Sequence, residues 1–399
     1  MGHRCSVHCI MPPYILKNVL EKGSPEQREL ALKALLSTST LRADRRFMSR
    51  LGFIAPVSGA GKQRMVFDCR NEPTTRNAVL VRRETDRGNG DTATNEAFDG
   101  VGATFDFYSE ILHRNSIDNA GMRLDCYVHY GENYPNAMWD GRRMIFGDGD
   151  GELFSRLTQS LDVIGHELTH GVTQYTANLE YRGQSGALNE SVSDVFGSLV
   201  KQWSLQQSAA QADWLIGPEC WTPQIEGDAL RSMKKPGSAF NDPLVGKDPQ
   251  PAHMRDYKRL PETPYGDMGG VHINSGIPNH AFYRFASAVG GYAWETAGQI
   301  WYEALQRSKK DTNFDAFANI TFAIAGENFD TETQQMLQAA WAGVGIKVGK
   351  KEKGRGGKMG STVEQSREDL ATTLSRLARQ VELLQQDVQD LKQSAAQHH

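Results

Sequence analysis

Apolar residues follow two rhythms along this chain. Val363, Leu370, Leu377, Leu384 and Leu391 stand every seven residues, and Leu374, Val381 and Val388 each follow a leucine by four. That 3-4 alternation draws one apolar stripe down a helix and reads as a coiled coil over residues 363–393. The alternative is a single amphipathic helix packed on the body of its own chain. Elsewhere the rhythm is that of shorter helices. Tyr14–Lys22 is amphipathic and closed by Gly23, and Ser24, Pro25 and Gln27 supply an N-cap, a first-turn proline and a capping-box glutamine for a second helix. Ser37–Arg46 is polar and mixed, and reads as an exposed linker. Ser160–Gly165 carries apolar residues at helical spacing into His166, Asn189–Phe196 reads as another helix, and Asp330–Ala342 as a last one before Gly343–Val348. A glycine-rich basic linker, residues 349–362, separates that region from the heptads.

Two of these helices carry the chemistry. In His166-Glu167-Leu168-Thr169-His170 the histidines lie at i and i+4, one above the other on one helix face, with Glu167 beside them. Glu190 on the following helix completes two imidazoles and a carboxylate, a donor set for catalytic zinc that leaves one position for water. Zinc lowers the pKa of bound water to about 7, so a neighbouring carboxylate can take its proton near neutrality. Ligand histidines usually donate their second N–H to a carboxylate or carbonyl, and Asn189 and Asp194 are spaced for that work.

Three separated blocks, Val163–Thr173, Ser185–Glu190 and Gly269-Gly270-Val271-His272-Ile273-Asn274-Ser275-Gly276, resemble the signature blocks of thermolysin-like metallopeptidases. The similarity spans roughly residues 60 to 348. It implies an α+β fold, a thermolysin-like two-domain catalytic unit with a β-rich N-terminal half (46–180, including the zinc helix) and a helical C-terminal half (181–348). It further implies His166, His170 and Glu190 as zinc ligands and Glu167 as general base. Tyr181 and His272 would stabilise the oxyanion, with Asp267 orienting His272. Asn136 and Ala137 would pair with substrate backbone, and Arg231 would hold a substrate carbonyl. Phe154, Leu157, Val163, Ile216 and Leu230 match the wall of the pocket for the side chain after the scissile bond, so hydrophobic residues are expected there. Pro12-Pro13-Tyr14-Ile15-Leu16 resembles the segment that marks the protealysin-like subgroup with short propeptides, which makes residues 1–45 a helical propeptide. The alternative is an ordinary N-terminal hairpin of the catalytic unit. Cys5 or Cys9 could add a thiolate to the zinc.

One departure stands out. Asp162 and Asp213 occupy two positions of the family's paired calcium site, but Lys201, Leu215 and Pro218 occupy others. Two hard divalent ions need many oxygen ligands, so no double calcium site is expected, and one weaker ion stays open.

Composition narrows the partners. The 399 residues are 39% hydrophobic, enough for a core and two or three domains; the net charge of −4 points to neither nucleic acid nor an acidic substrate, and with no transmembrane segment in the sequence no membrane partner is expected. Five scattered cysteines do not form the framework of a small secreted domain. No apolar run of signal-peptide length follows Met1. The expected product is a zinc endopeptidase made in the cytoplasm as a self-processing precursor, acting on peptides or proteins and self-associating through residues 363–391. Export by a leaderless route is the alternative location. The alternative function is a non-catalytic oligomeric binding protein with a structural metal site.

Overall fold

The computed structural model describes residues 8–51 and 61–349; the heptad tail, the linker beyond Gly349 and Cys5 fall outside them. The chain opens with a short strand β1 (His8–Cys9), then α1 (Pro13–Lys22) and α2 (Pro25–Leu51). Pro13 starts α1 where a missing N–H is harmless, and Gly23 closes it by donating its N–H to Val19 O at 2.8 Å. The capping box is formed: Ser24 N donates to Gln27 Oε1 at 2.9 Å and Gln27 N to Ser24 Oγ at 3.3 Å. The linker expected at Ser37–Arg46 is not there. Helix α2 runs through it to Leu51. Thr38 is buried with its hydroxyl 2.8 Å from that of Tyr134, so packing holds a stretch of weak intrinsic propensity in helical form.

Strands β2 (Arg64–Asp68) and β3 (Val79–Arg83), helix α3 (Thr92–Leu112), and strands β4 (Leu124–Val128), β5 (Ala137–Trp139) and β6 (Met144–Phe146) follow. They build a six-stranded sheet in the order β1-β5-β6-β4-β2-β3. β2, β4 and β6 run parallel, while β3, β5 and β1 pair antiparallel with their neighbours. Asp91 caps α3 by accepting from Ala93 N and Thr94 N.

The centre is a helix pair, α4 (Leu161–Gln174) against α5 (Gly183–Ser204). From Asp162 to Thr173 every residue of α4 is buried, charged ones included. The pair approaches so closely because glycines face each other. A Cβ on Gly197 would sit 2.4 Å from Asp162 O, and one on Gly165 would sit 3.0 Å from Gly197 Cα. Any side chain there would push the helices apart.

Beyond α5 lie two-residue strands β7 (Leu215–Ile216), β8 (Arg231–Ser232), β9 (Asn241–Asp242) and β10 (Gly246–Lys247), then α6 (Asp267–Asn274), α7 (Gly276–Val289), α8 (Thr296–Arg307), α9 (Phe314–Asn328) and α10 (Thr331–Gly343). Trp301 stacks on Trp341 at 5.6 Å between centroids, with Phe282, Phe285 and Phe317 around them, and this aromatic cluster holds the helical part together. The halves are therefore β-rich and helical, as expected. Among the described residues no helix is long and apolar enough to cross a membrane.

Candidate active site

Close packing of α4 on α5 brings His166, His170 and Glu190 together, all three buried, with one donor atom from each inside a common 4.8 Å sphere of mutual distances. The two Nε2 atoms are 3.0 Å apart. What each ring can do follows from its other nitrogen. His166 Nδ1 lies 2.8 Å from Asp194 Oδ1. Burial alone would raise the Asp194 pKa, but Arg231 and His166 pull it to about 2, so the carboxylate is ionised and can only accept. His170 Nδ1 lies 2.9 Å from Asn189 Oδ1, whose amide nitrogen donates to Leu179 O. Both Nδ1 atoms therefore carry the proton, and both Nε2 lone pairs face one point. Burial lowers His170 to about 3, which keeps that lone pair available. Against the opposing effect of burial, Asp194 and Glu190 lift His166 to about 9, so a metal binding there competes with a proton. Glu190 Oε2 and Glu167 Oε1 are buried and accept no hydrogen bond. Such atoms are costly unless a cation or water meets them, so the donor set fits a zinc ion.

The remaining expected residues surround this set. Glu167 receives Trp139 N on Oε2 at 2.8 Å, and burial lifts its pKa to about 8. The Tyr181 hydroxyl donates to Glu190 Oε1 and lies 3.2 Å from His272 Nε2. Asp267 accepts from His272 Nδ1 at 2.6 Å and from its backbone N at 2.9 Å. That carboxylate arrives through unusual backbone: Asp267, Met268, Gly269 and Gly270 all have positive φ, from 52° to 93°. At Gly269 a Cβ would stand 3.0 Å from Gly183 N, so this turn needs glycine for both space and conformation. Together Asp267 and Glu190 outweigh burial and raise the His272 pKa.

Arg231 is fully buried and grips Asp194 with two bonds, Nε to Oδ2 at 2.9 Å and Nη2 to Oδ1 at 2.7 Å. One residue missed by sequence reasoning joins them: Asn279 donates to Asp194 Oδ2 at 2.8 Å. Nothing in its local sequence marks it. Phe154, Leu157, Val163, Ile216 and Leu230 are all buried in the main core cluster.

The larger omission is what occupies the cleft. β1 adds to β5 with His8 opposite Trp139 and Cys9 opposite Met138. Ile10 N donates to Ala137 O at 3.2 Å, and Met11 N to Asn136 Oδ1 at 3.1 Å. Asn136 and Ala137 thus do pair with a peptide backbone, that of the chain's own N-terminal segment. The Cys9 thiol is not among the gathered donors; its Sγ lies 3.7 Å from Met11 O. Cys69, Cys126 and Cys220 are buried thiols.

At the calcium positions, Lys201 Nζ lies 2.9 Å from Asp162 Oδ2 and 3.1 Å from Asp213, while Asp162 Oδ1 accepts from Ser160 Oγ and Gly217 N.

Fold and site define a metalloendopeptidase, and the chain belongs to the thermolysin metallopeptidase family. The family's catalytic domain matches residues 59–174 and its alpha-helical domain residues 177–346. Among relatives, Protease PrtS of Photorhabdus sp. is 46% identical over 86% of this chain and 93% of its own length. An extracellular metalloprotease of Pectobacterium carotovorum is 45% identical over 86% of this chain and 97% of its own. The solved precursor of protealysin, a metalloproteinase from Serratia proteamaculans, superposes with a TM-score of 0.77 at 47% identity, over 85% of this chain and 99% of that one. The chain is thus protealysin-like within that family.

Proposed function

We propose that this metalloendopeptidase is zinc-dependent, with His166, His170 and Glu190 as ligands, and cleaves on the N-terminal side of hydrophobic residues. The observation that carries this is the convergence of the His166, His170 and Glu190 donor atoms, each ring having its Nδ1 against an acceptor oxygen. Zinc, when bound there, would polarise the scissile carbonyl and acidify a water molecule. Glu167, held by Trp139 N, takes the proton of the attacking water and returns it to the leaving nitrogen. His272 and Tyr181 donate to the carbonyl oxygen as it gains charge, and Asp267 holds the His272 ring in register. Arg231 fixes the next carbonyl while also orienting Asp194, so one guanidinium serves substrate and ligand shell together. Glu167→Ala should keep stoichiometric zinc and lose about 10²–10⁴-fold or more in turnover of a furylacryloyl peptide, since only the base is removed. His170→Ala should lose both zinc and activity. Near-normal turnover by Glu167→Ala, or metal analysis showing it zinc-free, would contradict these roles.

We further propose that the N-terminal hairpin, residues 1–45 in the sequence reading, is an inhibitory propeptide removed by self-processing. Its residues 9–11 lie buried across the cleft. Lys201 is proposed to stand in for calcium. Relatives named as extracellular metalloproteases support an extracellular site of action. Residues 363–391, outside the described residues, are proposed to self-associate. Truncation after Val348 should give a monomer with nearly unchanged activity on short peptides, and sedimentation of the full chain as a monomer at tens of micromolar would remove the coiled coil.

A further inference from the structure

Strand addition in the cleft does more than cover the site: it presents one particular peptide bond. His272 Nε2 donates to the Cys9 carbonyl oxygen at 3.0 Å, and the same nitrogen lies 3.2 Å from the Tyr181 hydroxyl and 3.6 Å from Glu190 Oε2. The Cys9 carbonyl is therefore the one that meets the oxyanion donors. Arg231 Nη1 donates to the next carbonyl, Ile10 O, at 3.1 Å. Ile10 N and Met11 N are bonded to Ala137 O and Asn136 Oδ1. Ile10 itself is 0% exposed, in the same core cluster as Leu157, Val163, Ile216 and Leu230. The contacts to His272, Arg231, Ala137 and Asn136, and the apolar side chain after the bond, are all supplied by Cys9-Ile10-Met11.

The register is also locked. Pro12 and Pro13 have no N–H, so sliding the segment by one residue would put Pro12 where Met11 donates to Asn136. Helix α1 then starts at once from Pro13 and is tied down beyond the cleft: Lys17 Nζ donates to Tyr265 O at 2.5 Å and Asn18 Nδ2 to Val245 O at 2.8 Å.

We propose that Cys9–Ile10 is the enzyme's first substrate bond, cut in cis within the precursor. This rests on the peptidase reading above. Water adds to the Cys9 carbonyl carbon as Glu167 accepts its proton. The carbon–nitrogen bond to Ile10 then breaks, that proton passing to the departing nitrogen, and the products are a Cys9 carboxylate and an Ile10 amine. The cut sheds residues 1–9 but leaves Ile10 and Met11 held in the cleft by α1. Processing therefore has two stages: a clip that does not activate, then the later removal of the helices that does.

The test uses the full chain, synthesised in a cell-free system with a zinc chelator and then given zinc, with all fragments followed by mass spectrometry. A peptide ending at Cys9 and a chain starting at Ile10 should appear before casein cleavage develops. Their rate constant should be unchanged over a tenfold range of precursor concentration. Glu167→Ala should yield neither, and Ile10→Asp should slow this cut at least about tenfold, the factor carried by losing one buried apolar side chain. Independently of activity, hydrogen exchange in full-length Glu167→Ala should show the Ile10 and Met11 amides protected at least about a hundredfold over an unfolded peptide. If active enzyme forms while every released fragment keeps Cys9–Ile10 intact, or if those two amides exchange freely, the proposal is overturned. A zinc-loaded chain that cuts neither itself nor casein overturns the peptidase reading, and this proposal falls with it.

Discussion

Two buried polar clusters sit on the same helix pair and solve opposite problems. At one end of α4 and α5, Asp162 meets Lys201, and both of its oxygens are engaged by the ammonium, a hydroxyl and a backbone N–H. Near the middle, His166, His170 and Glu190 converge, and Glu190 Oε2 accepts no hydrogen bond. The first cluster carries its own cation as a side chain; the second is arranged for one from outside. The contrast teaches that burial and charge do not by themselves make a metal site. What decides is whether the protein has already satisfied its oxygens and nitrogens.

Breaking the closed cluster should have the largest effect on stability. Lys201→Met leaves Asp162, which is 0% exposed, without its counter-charge, and should cost about 3–5 kcal/mol in denaturant unfolding. The half-exposed Asp213 will recover little of it. Zinc content per folded molecule should stay near one. Lys201→Glu should turn the closed cluster into an open one: its midpoint should rise with millimolar calcium, while that of the parent should not move. A parent enzyme whose melting temperature climbs with calcium would defeat the stand-in reading.

Next in size is the spacing that the two clusters share. Gly197→Ala forces a Cβ to within 2.4 Å of Asp162 O and 3.0 Å of His166 N, which should cost about 1–3 kcal/mol and weaken zinc retention against a chelator. Unchanged stability with unchanged zinc affinity would show that the close approach is not required.

A third, half-exposed cluster gives the smallest effect and serves as a control. His129 bridges Asp148 at 2.8 Å and Asp91 at 3.1 Å, and these carboxylates raise its pKa to about 9 from the usual 6.5. Since the folded value is the higher one, its contribution is full below about pH 6.5 and is lost as pH rises through 9. His129→Asn, which tolerates the left-handed backbone at this position, should lower the melting temperature at pH 6, with the gap to the parent closing by pH 10. A gap independent of pH would mean the ring acts by packing alone.

Much of the molecule was legible in the chain because its signals are local. Two histidines four apart on a buried helix and a serine-proline-glutamine cap before α2 each depend on neighbours within one or two turns. That Lys201 joins Asp162 and Asp213 was equally readable, since a change of residue type carries its chemistry with it. Tertiary structure alone decided the rest. Helix α2 ran through Ser37–Arg46 because Thr38 packs on Tyr134, a contact between residues 96 apart. Asn279 reached Asp194 across 85 residues, and the four positive φ values before His272 reflect loop packing. Above all, a two-residue strand has no periodicity to read. That Cys9 and Ile10 lie in the cleft follows from hydrogen bonds to an edge strand more than 120 residues away, an arrangement that exists only once the sheet has formed.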